Sequence, residues 1–505
     1  MSHVRPNITV LNEEQTARVH AYSLEILATT GVRVDSARAR RVLAQATGSS
    51  AADERVRIPP DLVAWALEVA PATVDIYDRL GNSAFTLGGR KAETYFGVGV
   101  TNLYYQEPQT DRVTPFTREH MALSTRLGHA LSSFDVISTI GIPQDVPPKL
   151  SDLVATLEMV ANTTRPLVLL ISDETMFPAV LDLLEILVLS PSTSSGRGSS
   201  ASSGEASGPG GLASRPFVVP YFNPITPLVI NAGTSDKMFA AIERGLPIIY
   251  SNYGMAGATT PITPGGTLAL LNAELLAGLA LGQLIQEGAP MILGNLPATF
   301  DMKTMVSYYG PETMLLNLAC AEMMAYYGLP HAGTSGSGSG WGPDVLAAGM
   351  LWFNHLTSCI GKVGLAPFVG NNLDSMAFSP TTAVYADEVI RHARRFARGF
   401  SLDPAAVATD EIDLVGPGGS FLTADLTLRH YRATYLDSPI FPRFSLDAWQ
   451  ARGSSAAVDL LRQHTARLLA EMRPPDDHDE LIDRGEAFIR GALTTAPRSA
   501  ASDCA

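Results

Sequence analysis

The chain has 505 residues, 46% of them hydrophobic and 17% charged, with a formal net charge of -14. This is the composition of a globular protein, long enough for several domains or for one barrel with extensions. The acidic balance excludes non-specific binding to nucleic acid or to anionic membranes as its role, because both need a basic surface.

The opening segment MSHVRPNITVLNEEQTARVH has no apolar h-region, so no secretory signal is expected and the chain reads as cytoplasmic. Asn12 is placed to cap a helix over residues 13–30, with Glu14 and Gln15 in its first turn. A second helix is expected over 36–46 after the Gly31 break, and Ile58-Pro59-Pro60 opens a third through Leu67. Together these predict a mainly helical N-terminal extension, residues 1–90, packed on the body of the protein.

From Thr94 onward short apolar runs alternate with helical patterns. The runs are 94–98, 136–141, 166–172, 217–223, 247–253, 290–296, 329–334 and 365–370. Helices are expected at 118–127, 151–162, 176–190, 235–244, 268–287, 312–327, 344–362 and 382–400. Continuous apolar strands alternating with helices signal a parallel sheet covered on both faces. Eight such units favour an α/β fold of the closed TIM (β/α)8 barrel type, residues 91–402, over an open doubly wound sheet. A C-terminal extension over 403–505 should pack on the barrel, with a helix between Asp477 and Leu493.

Residues 191–216 are rich in Ser and Gly and almost uncharged, which is linker chemistry; a disordered insertion remote from the strand C-termini is expected there. The apolar stretch Leu268–Ile285 contains Asn272, Glu274 and Gln283, which fits a buried barrel helix better than a membrane span. Cys320, Cys359 and Cys504 match neither a disulfide framework nor a metal motif, and the first two read as buried thiols.

In a TIM barrel the chemistry sits at the C-terminal ends of the strands. Those ends here are rich in Asn, Tyr and small residues and poor in Lys and Arg. The seventh run leads into a glycine-rich segment from His331 to Asp344, which feeds a helix start but lacks the lysine of a P-loop and the spacing of a dinucleotide fingerprint. His331 is the single histidine among the strand ends, so a metal site is not expected. Aromatic faces attract a permanently charged organic cation through the ring quadrupole. The candidate substrate contacts are accordingly Tyr104, Tyr221, Tyr253, Phe300 and Trp341, with Asn223, Asn252 and Asn295 as polar partners. His331 and Asp344 are the candidate catalytic side chains. Each has a plainer alternative: barrel packing for the rings, a backbone hydrogen bond for His331, and a helix cap for Asp344.

Several long segments carry a resemblance in the same order along the chain. They are SNYGMAGATTPITPGGTLALLNAELLAGLALGQLI (251–285), LACAEMMAYYGLPHAGTSGSGSGWGPD (318–344), APFVGNNLDSMAFSP (366–380), DLVGPGGSFLTADLT (413–427) and RHYRATYLDSPIFPR (429–443). These resemble the trimethylamine:corrinoid methyltransferase family, whose members are TIM barrels that move a methyl group from a methylated amine to the cobalt of a separate small corrinoid protein. The resemblance implies no tightly bound cofactor in this chain; methylcobalamin would form on the partner's corrinoid. Archaeal members carry pyrrolysine at the barrel centre. The resemblance sets Ser339–Asp344, with glycine at 342, against that position.

That departure implies the non-pyrrolysine branch, some members of which demethylate quaternary amines such as glycine betaine. A quaternary nitrogen is already a competent leaving group, so orientation by the pocket would suffice. A betaine carboxylate would need donors, for which Asn223, Asn252, His331 and the amides near Pro343 are candidates. Two alternatives stay open: a barrel enzyme for another methylated amine or an acidic substrate, and a non-catalytic betaine-binding relative. Self-association is also expected, with Ser438–Pro442 contributing.

Overall fold

The computed structural model describes residues 3–89, 93–188, 212–334, 338 and 340–495. Eight parallel strands form the centre: β1 (Tyr95–Val98), β2 (Val136–Ser138), β3 (Leu167–Leu170), β4 (Val218–Phe222), β5 (Ile248–Ala256), β6 (Met291–Asp301), β7 (His331–Ala332) and β8 (Leu365–Val369). Each pairs with its neighbours in chain order, and β8 returns to β1, which closes the sheet into a barrel. Eight helices surround it: α1 (Arg118–Ala130), α2 (Ser151–Asn162), α3 (Phe177–Val188), α4 (Ala232–Ile242), α5 (Pro264–Ile285), α6 (Pro311–Tyr327), α7 (Val345–Ile360) and α8 (Pro380–Arg398). This is the TIM barrel that the alternation predicts, with every strand overlapping its expected run.

The local signals act as expected. Asn12 caps the helix Glu13–Thr29 through a capping box with Gln15, and Ser36 caps the helix Ala37–Thr47. β5 and β6 run nine residues in register, from Ile248↔Met291 to Ala256↔Thr299, and rise above the other strands. β6 then turns back into a short antiparallel strand, Val306–Tyr308.

Two apolar layers result. One lies between strands and helices; the other fills the barrel lumen with Val136, Val168, Val219, Ile249, Ile292 and Leu365. The hairpin Thr73–Tyr77/Ser83–Gly88 adds Val74, Ile76, Phe85 and Leu87 to the lumen, each contributing roughly 1.5–3 kcal/mol when buried. It plugs the end opposite the strand C-termini and leaves the other end as the mouth.

α5 is long and apolar enough to cross a membrane, yet it is a core helix, with most of its apolar window buried inside the structure. It approaches β5 closely at Gly278, where a Cβ would meet the Tyr250 ring at 2.0 Å. Of the Ser/Gly insertion, residues 191–211 lie outside the described residues. Its expected end at 216 needs moving back, because Leu212 is buried in the core. Helices Ala457–Glu471 and His478–Thr495 pack against the barrel, the latter through ion pairs Arg118–Glu486 at 3.0 Å and Arg79–Asp477 at 2.6 Å nearby.

Candidate functional site at the barrel mouth

Side chains on a strand alternate between lumen and helix layer, so neighbours of known direction settle the rest. Ile249 lies in the lumen while Tyr250 abuts α5, so Ser251 and Tyr253 face inward and Asn252 faces outward. On β4, Val219 and Tyr221 face the lumen and Asn223 shares their side. On β6, Ile292 and Leu296 face inward, which assigns Phe300 to the mouth and Asn295 to the helix layer.

This phase corrects three expected site residues. Asn252 donates to Leu271 O at 2.8 Å and to Glu274 Oε2 at 2.9 Å, while its Oδ1 accepts from Asn295 at 3.0 Å. Both asparagines therefore brace β5 and β6 against α5. His331 pairs with Leu293, an outward residue, whereas Ala332 lies in the lumen. Its ring is buried behind β7 near Asn317, with neither nitrogen hydrogen-bonded among the described residues. Burial drives the imidazole down to about 3, which favours the neutral ring near neutrality.

Asp344 is a cap. Its Oδ1 accepts from the Leu346 and Ala347 amides and its Oδ2 from the Trp341 amide, each at 2.9 Å. With both oxygens engaged at the start of α7, its role is to shape the loop. Trp341 is 71% exposed on the rim. Its carbonyl accepts from Gln106 at 2.7 Å, and Gln106 in turn accepts from Asn372 at 2.8 Å. Tyr104 stands half-exposed on a ribbon, Tyr104–Gln106, that pairs with Ala377–Phe378 beside the mouth. Of the glycine-rich segment, residues 335–337 and 339 lie outside the described residues. At Gly342 a Cβ would point toward the Asp111 carboxylate, 3.5 Å away, which pairs with Arg462 at the barrel's edge.

Four expected residues lie on the lumen side of their strands: Tyr221, Asn223, Tyr253 and, farther out along β6, Phe300. The Asn223 amide donates to Ser251 O at 2.8 Å, joining β4 to β5. Tyr309 donates to the Tyr253 hydroxyl at 3.4 Å, a long contact. Tyr221 and Phe368 meet edge to face across the lumen, 5.1 Å between centroids. Ser307, which pairs with Phe300, donates to Asp374 Oδ2 at 2.6 Å. That bond ties the β6 hairpin to the loop after β8 and so spans the end of β7. Burial raises the Asp374 carboxyl, and the Ser307 bond partly offsets the rise. Leu373, Asp374 and Ser375 all have positive φ, near 53–64°. Three consecutive non-glycine residues in that region cost roughly 1–2 kcal/mol each, and such strain gathers at ligand sites.

Sequence reasoning missed Ser251, Tyr309, Asn371 and Asp374 as site residues. Asn372 bonds outward to Thr382 at 2.9 Å, which turns the adjacent Asn371 toward the mouth. Among the described residues, the Asn371 amide, the Ser251 hydroxyl and the Tyr221 hydroxyl are buried without a hydrogen-bond partner. Tyr221 lies close enough to Ser251 and Asn223 for their side chains to temper the rise in its pKa caused by burial, but no hydrogen bond of good geometry forms. Buried polar atoms left unpaired cost about 1–3 kcal/mol each, so a group of them facing one space marks a place for a polar ligand or water. The mouth thus offers aromatic faces, one carboxylate and a set of unspent donors.

Behind β5, Glu274 braces the wall of this space. It accepts from the Leu228 amide at 2.6 Å, from Thr226 at 2.9 Å and from Asn252 at 2.9 Å. Burial raises its carboxyl from 4.5 to about 7, and the three bonds only partly oppose that. The folded protein therefore holds this proton more tightly than the unfolded chain, so the contribution is greatest below pH 4.5 and is lost as pH rises to 7. Replacing it by glutamine removes the titration. The Tm of the native chain, measured relative to E274Q, should fall across that window and level off above it.

A barrel with a plugged base and an aromatic, donor-lined mouth is a small-molecule enzyme scaffold, and comparison with known proteins defines it further. The family model for trimethylamine methyltransferase matches residues 1–491. A trimethylamine methyltransferase of Desulfitobacterium hafniense strain DCB-2 is 27% identical over 474 residues, covering 91% of this chain and 90% of that protein. A glycine betaine methyltransferase of D. hafniense strain Y51 is 24% identical over 492 residues, covering 97% and 98%. The crystal structure of the Methanosarcina barkeri monomethylamine methyltransferase shares the fold, with a TM-score of 0.51 at 10% identity over 95% of this chain and 88% of that one. The fold is that of a TIM barrel, and the family match makes the chain a methyltransferase. The chain belongs to the trimethylamine methyltransferase family.

Proposed function

We propose that the chain transfers a methyl group from a quaternary amine of the betaine class, such as glycine betaine, to the cobalt of a separate small corrinoid protein. One observation carries this reading: among the described residues the Tyr221, Ser251 and Asn371 side chains are buried without a hydrogen-bond partner, with the Tyr253 ring two residues beyond Ser251 on the lumen side of β5 and the Phe300 ring farther out along β6. The rings suit an ammonium head and the donors a carboxylate, which are the two ends of a betaine. Asp374 adds a negative charge on the ammonium side. The family includes a named glycine betaine methyltransferase, and all 505 residues here are standard amino acids.

The transfer needs little from the protein beyond placement. The reduced cobalt supplies an electron pair that forms the cobalt–carbon bond, while the carbon–nitrogen pair stays on the departing tertiary amine. No proton is required, in keeping with a mouth where His331 is neutral and remote. The chain holds the methyl carbon in line, excludes water and neutralises the substrate's ends. The corrinoid arrives on its partner. Exposed Met302, Met305, Val306 and Tyr308 on the β6 hairpin, with Trp341 and Val345 across the mouth, form an apolar rim for that docking. We further read the enzyme as cytoplasmic and self-associating.

The test is methylation of a reduced corrinoid protein, followed by its visible absorption, with glycine betaine, choline, trimethylamine and other betaines as donors. Cobalt–methyl formation with a betaine and none with trimethylamine is expected. A preference for trimethylamine, or tight betaine binding with no methylation, would overturn the reading.

A further inference from the structure

A second surface lies far from the mouth. From Leu402 to Tyr435 no side chain is buried. The segment nevertheless folds into helices Pro404–Val407, Thr409–Val415 and Asp425–Thr434, joined by a bond from the Leu426 amide to Glu411 at 2.8 Å. Helices of four, seven and ten residues fall short of the roughly 12–15 at which isolated helices become marginal. They need packing that the described residues do not supply. The apolar side chains are there: Leu414 is 85% exposed and Leu422 80%, among nine large apolar residues of the segment more than 40% exposed. Covering them removes on the order of the 800 Å² per partner of a standard interface.

The arm is rooted at both ends. Phe400–Ser401 pairs with His3–Val4, and Ile440 and Phe441 are packed on the barrel's own helices, Phe441 against Tyr385 of α8. The expected contact segment, Ser438–Pro442, is thus the arm's anchor and the free surface precedes it.

The same chain carries a concave counterpart. A groove of about 1010 Å³ runs between the helix Glu13–Thr29, the start of α5 and α6, lined by Leu11, Val19, Tyr22, Leu268 and Leu315 and filled by no described segment. Charge matches as well as shape. Residues 402–435 hold five carboxylates and two arginines, Arg429 and Arg432. Arg18, which pairs with Glu14, and Glu25 line the groove, and Arg55 and Arg57 donate to the Thr30 and Thr29 carbonyls on its rim. Residues 31–57 hold six arginines against three acids, a basic stretch in a chain of net charge -14.

We infer that the arm Leu402–Tyr435 of one copy seats in this groove of a second copy, and reciprocally, so that the working unit is built on an arm-exchanged pair. A second copy is the occupant because the arm needs permanent cover, whereas a corrinoid carrier must come and go. Light scattering and hydrogen exchange on the full chain at micromolar concentration test this. The native protein should be a dimer or a larger even assembly, with amides of 409–434 protected. L414D/L422D should yield monomers. L315D, in the groove and on a different part of the chain, should dissociate the assembly and also expose the arm's amides while barrel amides stay protected. A monomeric native protein, protection unchanged by L315D, or protection that appears only with the corrinoid protein would each overturn the inference. None of these depends on which amine is the methyl donor.

Discussion

Gly338→Ala should lower methyl transfer by about 100-fold or more while the barrel still melts cooperatively. A Cβ at 338 would lie 1.7 Å from the Asn371 carbonyl oxygen and 3.0 Å from the Asn372 Cα, both backbone atoms with no rotamer to change. Gly338 O accepts from the Asp374 amide at 3.2 Å, and Gly340 O from the Leu373 amide at 2.9 Å. The glycine loop therefore sits directly on the strained turn that presents Asp374 and orients Asn371. A methyl group must push the two apart, and the turn, already in left-handed geometry, has little freedom to follow. The loss should appear in kcat/KM with betaine and in the affinity for betaine alone, both measurable against a thermal melt. An alanine variant with native affinity would show that the loop's contact with Asn371 has no part in the site.

Tyr253→Ala should weaken betaine binding by about 30-fold, the equivalent of roughly 2 kcal/mol for a desolvated cation on an aromatic face. Tyr253 faces the lumen from β5, beside the strand that carries Phe300, and its hydroxyl meets that of Tyr309. Tyr253→Phe keeps the ring and should lose far less, since the hydroxyl contact is long at 3.4 Å. Trp341→Ala supplies the contrast. Its ring is largely exposed and away from the lumen, so betaine affinity should hold, while methylation of the corrinoid protein should slow if the rim is its docking surface. Calorimetry with glycine betaine separates these effects without turnover. Equal losses from Tyr253→Ala and Trp341→Ala would move the ligand outward to the rim.

Much of the architecture was legible because its signals are local. Asn12 and the Pro59-Pro60 pair mark helix starts by side-chain or backbone chemistry within a few residues. The eight strands are recognisable as apolar runs between turn residues, and each lies where expected to within a few positions. The site was legible only in outline. Tyr221, Asn223, Tyr253 and Phe300 share the mouth, but Asn252, Asn295 and His331, chosen on the same grounds, face the helix layer.

The reason lies in how a parallel barrel buries its strands. In a sheet exposed on one face, polar and apolar residues alternate and the phase can be read directly. Here lumen and helix layer are both apolar, so Tyr250-Ser251-Asn252-Tyr253 gives no sign of which pair looks inward, and an error of one residue exchanges pocket for scaffold. Asp374 and Ser307 stand 67 positions apart, and nothing near either foretells their bond across β7. The glycine-rich segment after β7 likewise suggested a loop against the ligand; its described part is a spacer that lets the backbone settle on Asn371, with Asp344 as its cap. By itself the sequence determined the barrel, its helix starts and the chemical types gathered at the strand ends. Which of those side chains face the substrate space was decided by closure of the barrel, because strand phase is set by pairing across the ring and not by any local preference.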